Sequence, residues 1–266
     1  MFALLSLACT RAPTLPPHRV FPSSEAALAE VLASQPRVLG VGEIHASTDR
    51  PGLASTLSRF TERFMPVLAP RTTDLVIETW RLDRACGAPA EAIVEQVEED
   101  TKRPEATKDE LTLLIERAVA LGVKPHDLIL TCEEYATLTD EDGEVSYDRL
   151  LVMLTEKLSD YAQRGLQMEG ASLVLYGGAM HNDLYPDPTL SDYSYGPRAR
   201  ATGGEAYVEI DLYDAALLRG REGLIEAAWA PLLDATGPDR ALLFERGPGS
   251  FVLFMEEQAA LVNPSK

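Results

Sequence analysis

Two short runs in this chain place an acid or a histidine directly after an apolar, strand-forming segment. In "VLGVGEIH", residues 38–45, Glu43 and His45 stand two apart behind Gly42; in "LVLYGGAMH", residues 173–181, His181 follows Gly177 and Gly178. Residues i and i+2 of an extended chain point the same way, so the Glu43 carboxylate and the His45 imidazole are expected to face one volume. Two more apolar runs also end in acids, since "DLVIETW" delivers Glu78 and "DLILTCEE" delivers Cys132, Glu133 and Glu134. Carboxylates and imidazoles have proton affinities that their surroundings tune, which suits general acid and base work. The same groups are ligands for a borderline divalent transition metal. The metal set is then Glu43, His45, Glu78 and His181. Without metal, Glu43 and His45 hold or activate a water, with His181 as proton donor and Glu78 orienting a histidine.

Each residue alone has an ordinary structural reading. A histidine at a strand end is commonly a hydrogen-bonded surface residue, and Glu78 has Arg81 nearby as a salt-bridge partner. Four strand ends agreeing is harder to explain that way, because isolated carboxylates in a cleft are costly unless a cation or a donor compensates. His18 and His126 are read as solvent-facing. Cys132 is read as a small core residue, and Cys86 with Cys132 specifies neither a disulfide scaffold nor a zinc ribbon. No Walker loop, GxGxxG or Gly-x-Ser-x-Gly motif is present.

These residues need a scaffold that brings strand ends together. Amphipathic helical patterns are expected over 23–34, 49–69, 89–99, 107–121 and 146–165, with Leu57, Phe60, Phe64 and Leu68 forming one stripe and Leu150, Leu154 and Leu158 another. Strands are expected at 37–42, 73–80, 126–134, 171–181, 204–213, 240–246 and 250–257. Continuous apolar strands alternating with helices indicate an α/β fold: a mostly parallel sheet with helices on both faces. The "RGPG" turn adds a C-terminal antiparallel edge hairpin. In such sheets ligands collect beyond the carboxyl ends of the strands, where these residues lie. The loop after His181 carries Tyr185, Tyr193, Tyr195, Arg198 and Arg200 and is read as a lid or specificity element, with an arginine meeting a substrate anion.

The chain has 266 residues, 45% of them hydrophobic, enough for one sizeable core. Its 42 acidic and 24 basic residues give a formal charge of -18, which repels phosphate backbones and argues against nucleic acid as a partner. No apolar run reaches the roughly 18 residues of a membrane span. Residues 1–9 resemble the end of a lipoprotein signal with Cys9 as the lipidated position. Residues 10–22 read as a Pro-rich tether, and 23–266 as a single domain.

The motif "VLGVGEIH" resembles the GExH motif, and "LVLYGGAMH" the later GxxH motif, of the superfamily joining ChaN-like haem-binding lipoproteins, the TraB and Tiki proteins and the erythromycin esterases; "LVIETW" is similar to its second strand. The likeness spans about residues 36–183. It implies a parallel-sheet fold with Glu43, His45 and His181 as functional residues and Glu78 in support. It also implies two functions. The hydrolytic branches imply cleavage of an ester or amide in a small-molecule or peptide substrate. The ChaN-like branch implies a haem-binding lipoprotein of the cell envelope, with Tyr185, Tyr193, Tyr195 or His181 ligating iron.

Overall fold

The run Val38–Glu43 is buried along its whole length, as a strand covered on both faces must be. It is the second strand, β2, of one eight-stranded sheet. The others are β1 (Arg19–Phe21), β3 (Asp74–Leu82), β4 (Lys124–Leu130), β5 (Leu173–Gly178), β6 (Tyr207–Tyr213), β7 (Ala241–Gly247) and β8 (Ser250–Phe254), in the order β1-β7-β8-β6-β2-β5-β3-β4. The computed structural model describes residues 15–45, 53–83, 86, 104, 106–138, 146–219 and 227–258. From β8 to β4 every pairing is parallel, whereas β7–β8 and β1–β7 are antiparallel. The expected α/β sheet with an antiparallel edge is therefore present, and Arg19–Phe21, inside the span read as tether, extends that edge by one strand.

Helices α1 (Ser24–Val31), α2 (Thr56–Arg59), α3 (Met65–Leu68) and α4 (Ala106–Ala120) cover one face. There Leu57, Phe60, Phe64 and Leu114 pack on Leu39, Val41, Ile77 and Tyr176. Between α2 and α3 a π turn spans Phe60–Phe64, with the Met65 N–H reaching back to the Phe60 carbonyl. Pro66 has no N–H to give Glu62, which removes the ordinary bond at that point and suits a widened turn.

The opposite face carries α5 (Cys132–Leu138), α6 (Tyr147–Gln167), α7 (Ala179–Asn182) and α8 (Gly196–Gly203), while α9 (Ala215–Leu218) follows β6. Ser146 caps α6 through the Arg149 N–H. Leu150, Leu154 and Leu158 form the buried stripe of α6 against Val38, Val76 and Leu175. Tyr147 and Ile115, which helical periodicity alone places on the apolar sides of α6 and α4, are 40% and 38% exposed.

Several expectations are corrected. The run 126–134 does not stay extended: β4 stops at Leu130, and Thr131 and Glu134 form a reciprocal capping box that starts α5, Glu134 N–H to Thr131 Oγ1 at 3.2 Å and Thr131 N–H to Glu134 Oε2 at 2.8 Å. β5 likewise ends at Gly178, and His181 rides on the short helix α7. The helix expected from residue 49 begins at Thr56 with Ser55 as its cap. Cys132 is not a free core thiol, because it is disulfide-bonded to Cys86. His126 is not simply solvent-facing, since its Nε2 lies 2.7 Å from Asp74 Oδ1. The helix expected at 89–99, residues 1–14 and Cys9 lie outside the described residues.

Candidate functional site

Strand register brings the predicted residues to one level. Glu43 pairs across from Gly178 at the ends of β2 and β5, and Ile77 of β3 pairs with Tyr176 of β5. Beyond Ile77 the β3–β4 register shifts: Val76 pairs with His126, but the next pair is Trp80 with Leu128. Glu78 sits inside that bulge, a device that re-aims a side chain at the end of a strand. Alternation puts Glu43 on the Leu39–Val41 face and Glu78 on the Val76 face, so the two carboxylates come from opposite faces of the sheet. His45, just past β2, lies between them, and His181, on α7, lies on the far side of Glu78.

Glycine is required where the carboxylate crosses the strand. A Cβ at Gly177 would meet the Glu78 Cβ at 2.7 Å and collide with its Oε2. At Gly178 a Cβ would lie 3.2 Å from His45 Nε2, 3.5 Å from Glu78 Oε2 and 3.6 Å from His181 Cδ2, so this one backbone position has all three side chains around it.

Both oxygens of Glu43 are engaged. The Tyr176 hydroxyl donates to Oε2 at 2.5 Å, and His45 Nδ1 lies 2.8 Å from Oε1. An ionised carboxylate only accepts, so His45 carries its proton on Nδ1 and turns the Nε2 lone pair outward, 4.0 Å from Glu78 Oε1. Glu78 takes the Gly178 N–H on Oε2 at 2.5 Å, and its Oε1 is 3.4 Å from His181 Nε2. His181 Nδ1 lies 2.9 Å from the Tyr193 carbonyl and 2.7 Å from Thr155 Oγ1. A carbonyl has no proton to give, which puts the Nδ1 hydrogen on His181. Its Nε2 edge faces the Glu78 carboxylate.

Glu43 lies behind His45 with both oxygens engaged, and among the described residues no group of three or more His, Cys, Asp or Glu side chains is arranged to hold a metal ion.

A cleft of about 410 Å³, counted out to open solvent, opens over Glu43, His45, Glu78, Tyr176, Ser55 and Glu110. Burial, and secondarily the Glu43 charge, hold the Tyr176 phenol well above its ordinary range, so it stays a donor. Glu110 accepts from the Ser55 hydroxyl at 2.6 Å, and burial followed by Glu43 raises its carboxyl above the usual value. Among the described lining residues there is no Lys or Arg. The cleft is therefore acidic, its charge moderated by hydrogen bonds and histidine.

No family model matches the chain, and no curated protein sequence matches it. A solved structure it is similar to, that of the type III effector HopBA1, shares 14% identity over 92% of this chain and 98% of that one, with a TM-score of 0.47. A likeness of that degree carries no argument.

Other expected site residues lie elsewhere. The three tyrosines do not converge: Tyr195 is buried with its ring 6.0 Å from Tyr207, the Tyr185 hydroxyl donates to the Pro248 carbonyl at 3.2 Å, and the Tyr193 hydroxyl bonds Asp148. Arg200 donates to that same Pro248 carbonyl at 2.6 Å and so does not stand in the cleft. Glu134 pairs with Lys157 at 2.7 Å, and Arg81 pairs with Asp127 rather than Glu78.

Four contributors were not read from sequence: Tyr176, Thr155, Glu110 and the polar layer under α7. Thr155 leaves a signal, being a fully buried polar residue on the apolar stripe of α6. In the layer under α7, the Asn182 carbonyl accepts from the Tyr207 hydroxyl at 2.8 Å, the Leu184 N–H donates to Glu209 Oε2 at 2.6 Å, and the Asn182 amide donates to Asp211 Oδ1 at 3.2 Å. Burial, then the Asp183 charge, push the Asp211 carboxyl up to about 8. The layer fixes the turn that presents His181.

Proposed function

We propose that this protein is a hydrolase of ester or amide bonds, with His45 as general base. The observation that carries the reading is the Glu43–His45 pair, in which an engaged carboxylate fixes the imidazole tautomer and leaves Nε2 directed at the cleft. This is the arrangement by which a carboxylate orients a histidine for proton transfer. Water gives its proton to His45 Nε2 as its oxygen adds to the substrate carbonyl carbon. The His45 imidazolium returns that proton to the leaving oxygen or nitrogen as the carbonyl re-forms, while His181, held by Thr155 and the Tyr193 carbonyl, positions Glu78 from behind the cleft wall. Glu78, 4.0 Å from His45 Nε2, steadies the imidazolium and completes the polar wall. The roles differ from the sequence expectation: Glu43 orients a histidine and Glu78 stands between the two rings.

The cell envelope is the proposed location, supported by the Cys86–Cys132 disulfide, since such bonds persist in oxidising compartments. The haem alternative has less support, because the three tyrosines face three different partners.

The test is a panel of aryl esters, choline esters and peptide anilides, assayed with wild type, His45→Ala and His181→Ala, each with and without a chelator. Turnover that both substitutions abolish, in folded variants and unaffected by chelator, supports the reading. Chelator-sensitive turnover replaces it with a metal-assisted one. Absence of turnover, together with a Soret band on haemin titration, replaces it with haem binding.

A further inference from the structure

A second depression of about 700 Å³, counted out to open solvent, lies between the α2–π segment and α4, and Glu110 lines both it and the cleft. Of the residues that α4 gives it, Glu110, Leu113, Arg117 and Ala120 recur at helical spacing on one face with Glu116 beside them, while Ser58, Thr61 and Glu62 come from across the groove. Thr107 and Leu111 continue α4 into the cleft itself. The two depressions thus share a wall at Glu110 and run along one helix, a track leading outward from the candidate reacting centre.

The chemistry of the track is lopsided. Glu62, Glu110 and Glu116 line it against Arg117 as the only cation among its described residues, and the cleft adds Glu43 and Glu78. Apolar surface is interleaved with these acids: Leu113 is 56% exposed beside Ala120. An anion entering the track would meet carboxylates on both sides, whereas a cation would be attracted, and the chain's -18 charge adds a field of the same sign. A cationic group on an apolar stem matches both properties, laying the stem on Leu113 and the charge between Glu110 and Glu62.

We propose that this groove is a substrate subsite that selects an ammonium or guanidinium group on an apolar stem, making the preferred substrate a cationic ester or amide. The assignment rests on reading the Glu43, His45, Glu78 and His181 cluster as the reacting centre, but the groove's selectivity is measurable without turnover.

The experiment uses three non-cleavable probes of similar size: choline phenyl ether, its neutral carbon isostere 3,3-dimethylbutyl phenyl ether, and 4-phenoxybutanoate. Binding to the full chain is followed by ligand-observed NMR at low and high salt. The choline ether should bind about fivefold more tightly than the neutral ether at low salt, with the carboxylate weakest, and salt should narrow the gap. Glu62→Gln with Glu110→Gln should equalise the cationic and neutral probes while leaving the thermal transition in place. Equal binding of the first two probes to wild type, or a preference that survives the double substitution, would overturn the proposal. If the probes discriminate as expected but benzoylcholine is not hydrolysed, the subsite stands and the hydrolase reading fails.

Discussion

Tyr176 and Glu43, on adjacent parallel strands, meet at 2.5 Å, and this bond occupies the one Glu43 oxygen that His45 does not use. The tyrosine is thereby a positioning residue for the histidine two steps away. Tyr176→Phe removes a donor from a buried carboxylate, a loss of about 1.5–3 kcal/mol where a charged partner is involved. Turnover number should fall roughly tenfold with the Michaelis constant little changed, because only the base's orientation is affected. Steady-state kinetics on one substrate checks this split.

Thr155 does the equivalent work for His181. Its hydroxyl meets Nδ1 at 2.7 Å while also lying 2.9 Å from the Leu151 carbonyl. Thr155→Val keeps the shape of the α6 stripe but removes the partner, and Thr155→Ser restores it. Activity should fall with valine, by about tenfold, and recover with serine. A merely structural threonine would give similar melting losses in both variants and no such recovery.

Gly177→Ala tests the crossing of Glu78 over β5. The new Cβ would lie 2.7 Å from the Glu78 Cβ, so the carboxylate must leave its bond to the Gly178 N–H. The expected cost is about 1–3 kcal/mol of stability from overpacking and a larger loss of turnover. Calorimetry and kinetics on the same sample separate the two.

Asp211 gives a pH dependence of defined sign. Burial raises its carboxyl to about 8 in the folded chain, far above an unfolded aspartate, so the folded state binds more protons between about pH 4 and pH 8. Stability contributed by this group therefore falls as pH rises through that window and is level above it. Asp211→Asn removes the ionisation. Its melting temperature relative to wild type should climb from pH 5 to pH 8 and stay level from pH 8 to pH 9, as thermal scans would show.

The Cys86–Cys132 bond closes a loop of sequence separation 46, for which loop-closure entropy gives about 4 kcal/mol. Cys86→Ser, or reductant during a melt, should lower the transition clearly while leaving the distances around Glu43 unchanged. Residual activity at low temperature, measured before and after reduction, checks that separation of stability from chemistry.

The sheet was legible because its strands are buried on both faces and so read as unbroken apolar runs, and Val38–Glu43 and Leu173–Gly178 lie within a few residues of where those runs place them. Glu43, His45, Glu78 and His181 were legible for the same reason, since each follows such a run. What failed was local competition at the ends. The Thr131–Glu134 capping box turned an expected strand end into a helix start and took Glu133 and Glu134 with it. Tyr176 and Glu110 were hidden because periodicity reports which face a residue occupies, not which distant carboxylate or hydroxyl it meets. The disulfide was hidden because two cysteines far apart in sequence carry no pairing signal until β3 and β4 are neighbours.

The most direct measurement of the central claim is kcat/KM for one hydrolysed ester in wild type and Glu43→Gln, with folding checked by circular dichroism. Glutamine keeps the size of the side chain but can present an N–H to His45 Nδ1, which puts the imidazole proton on Nε2 and abolishes the base. By analogy with other carboxylate-oriented histidines, the loss should be about 10³–10⁴-fold, with the fold intact. Activity within a few-fold of wild type in a folded Glu43→Gln protein would contradict the account.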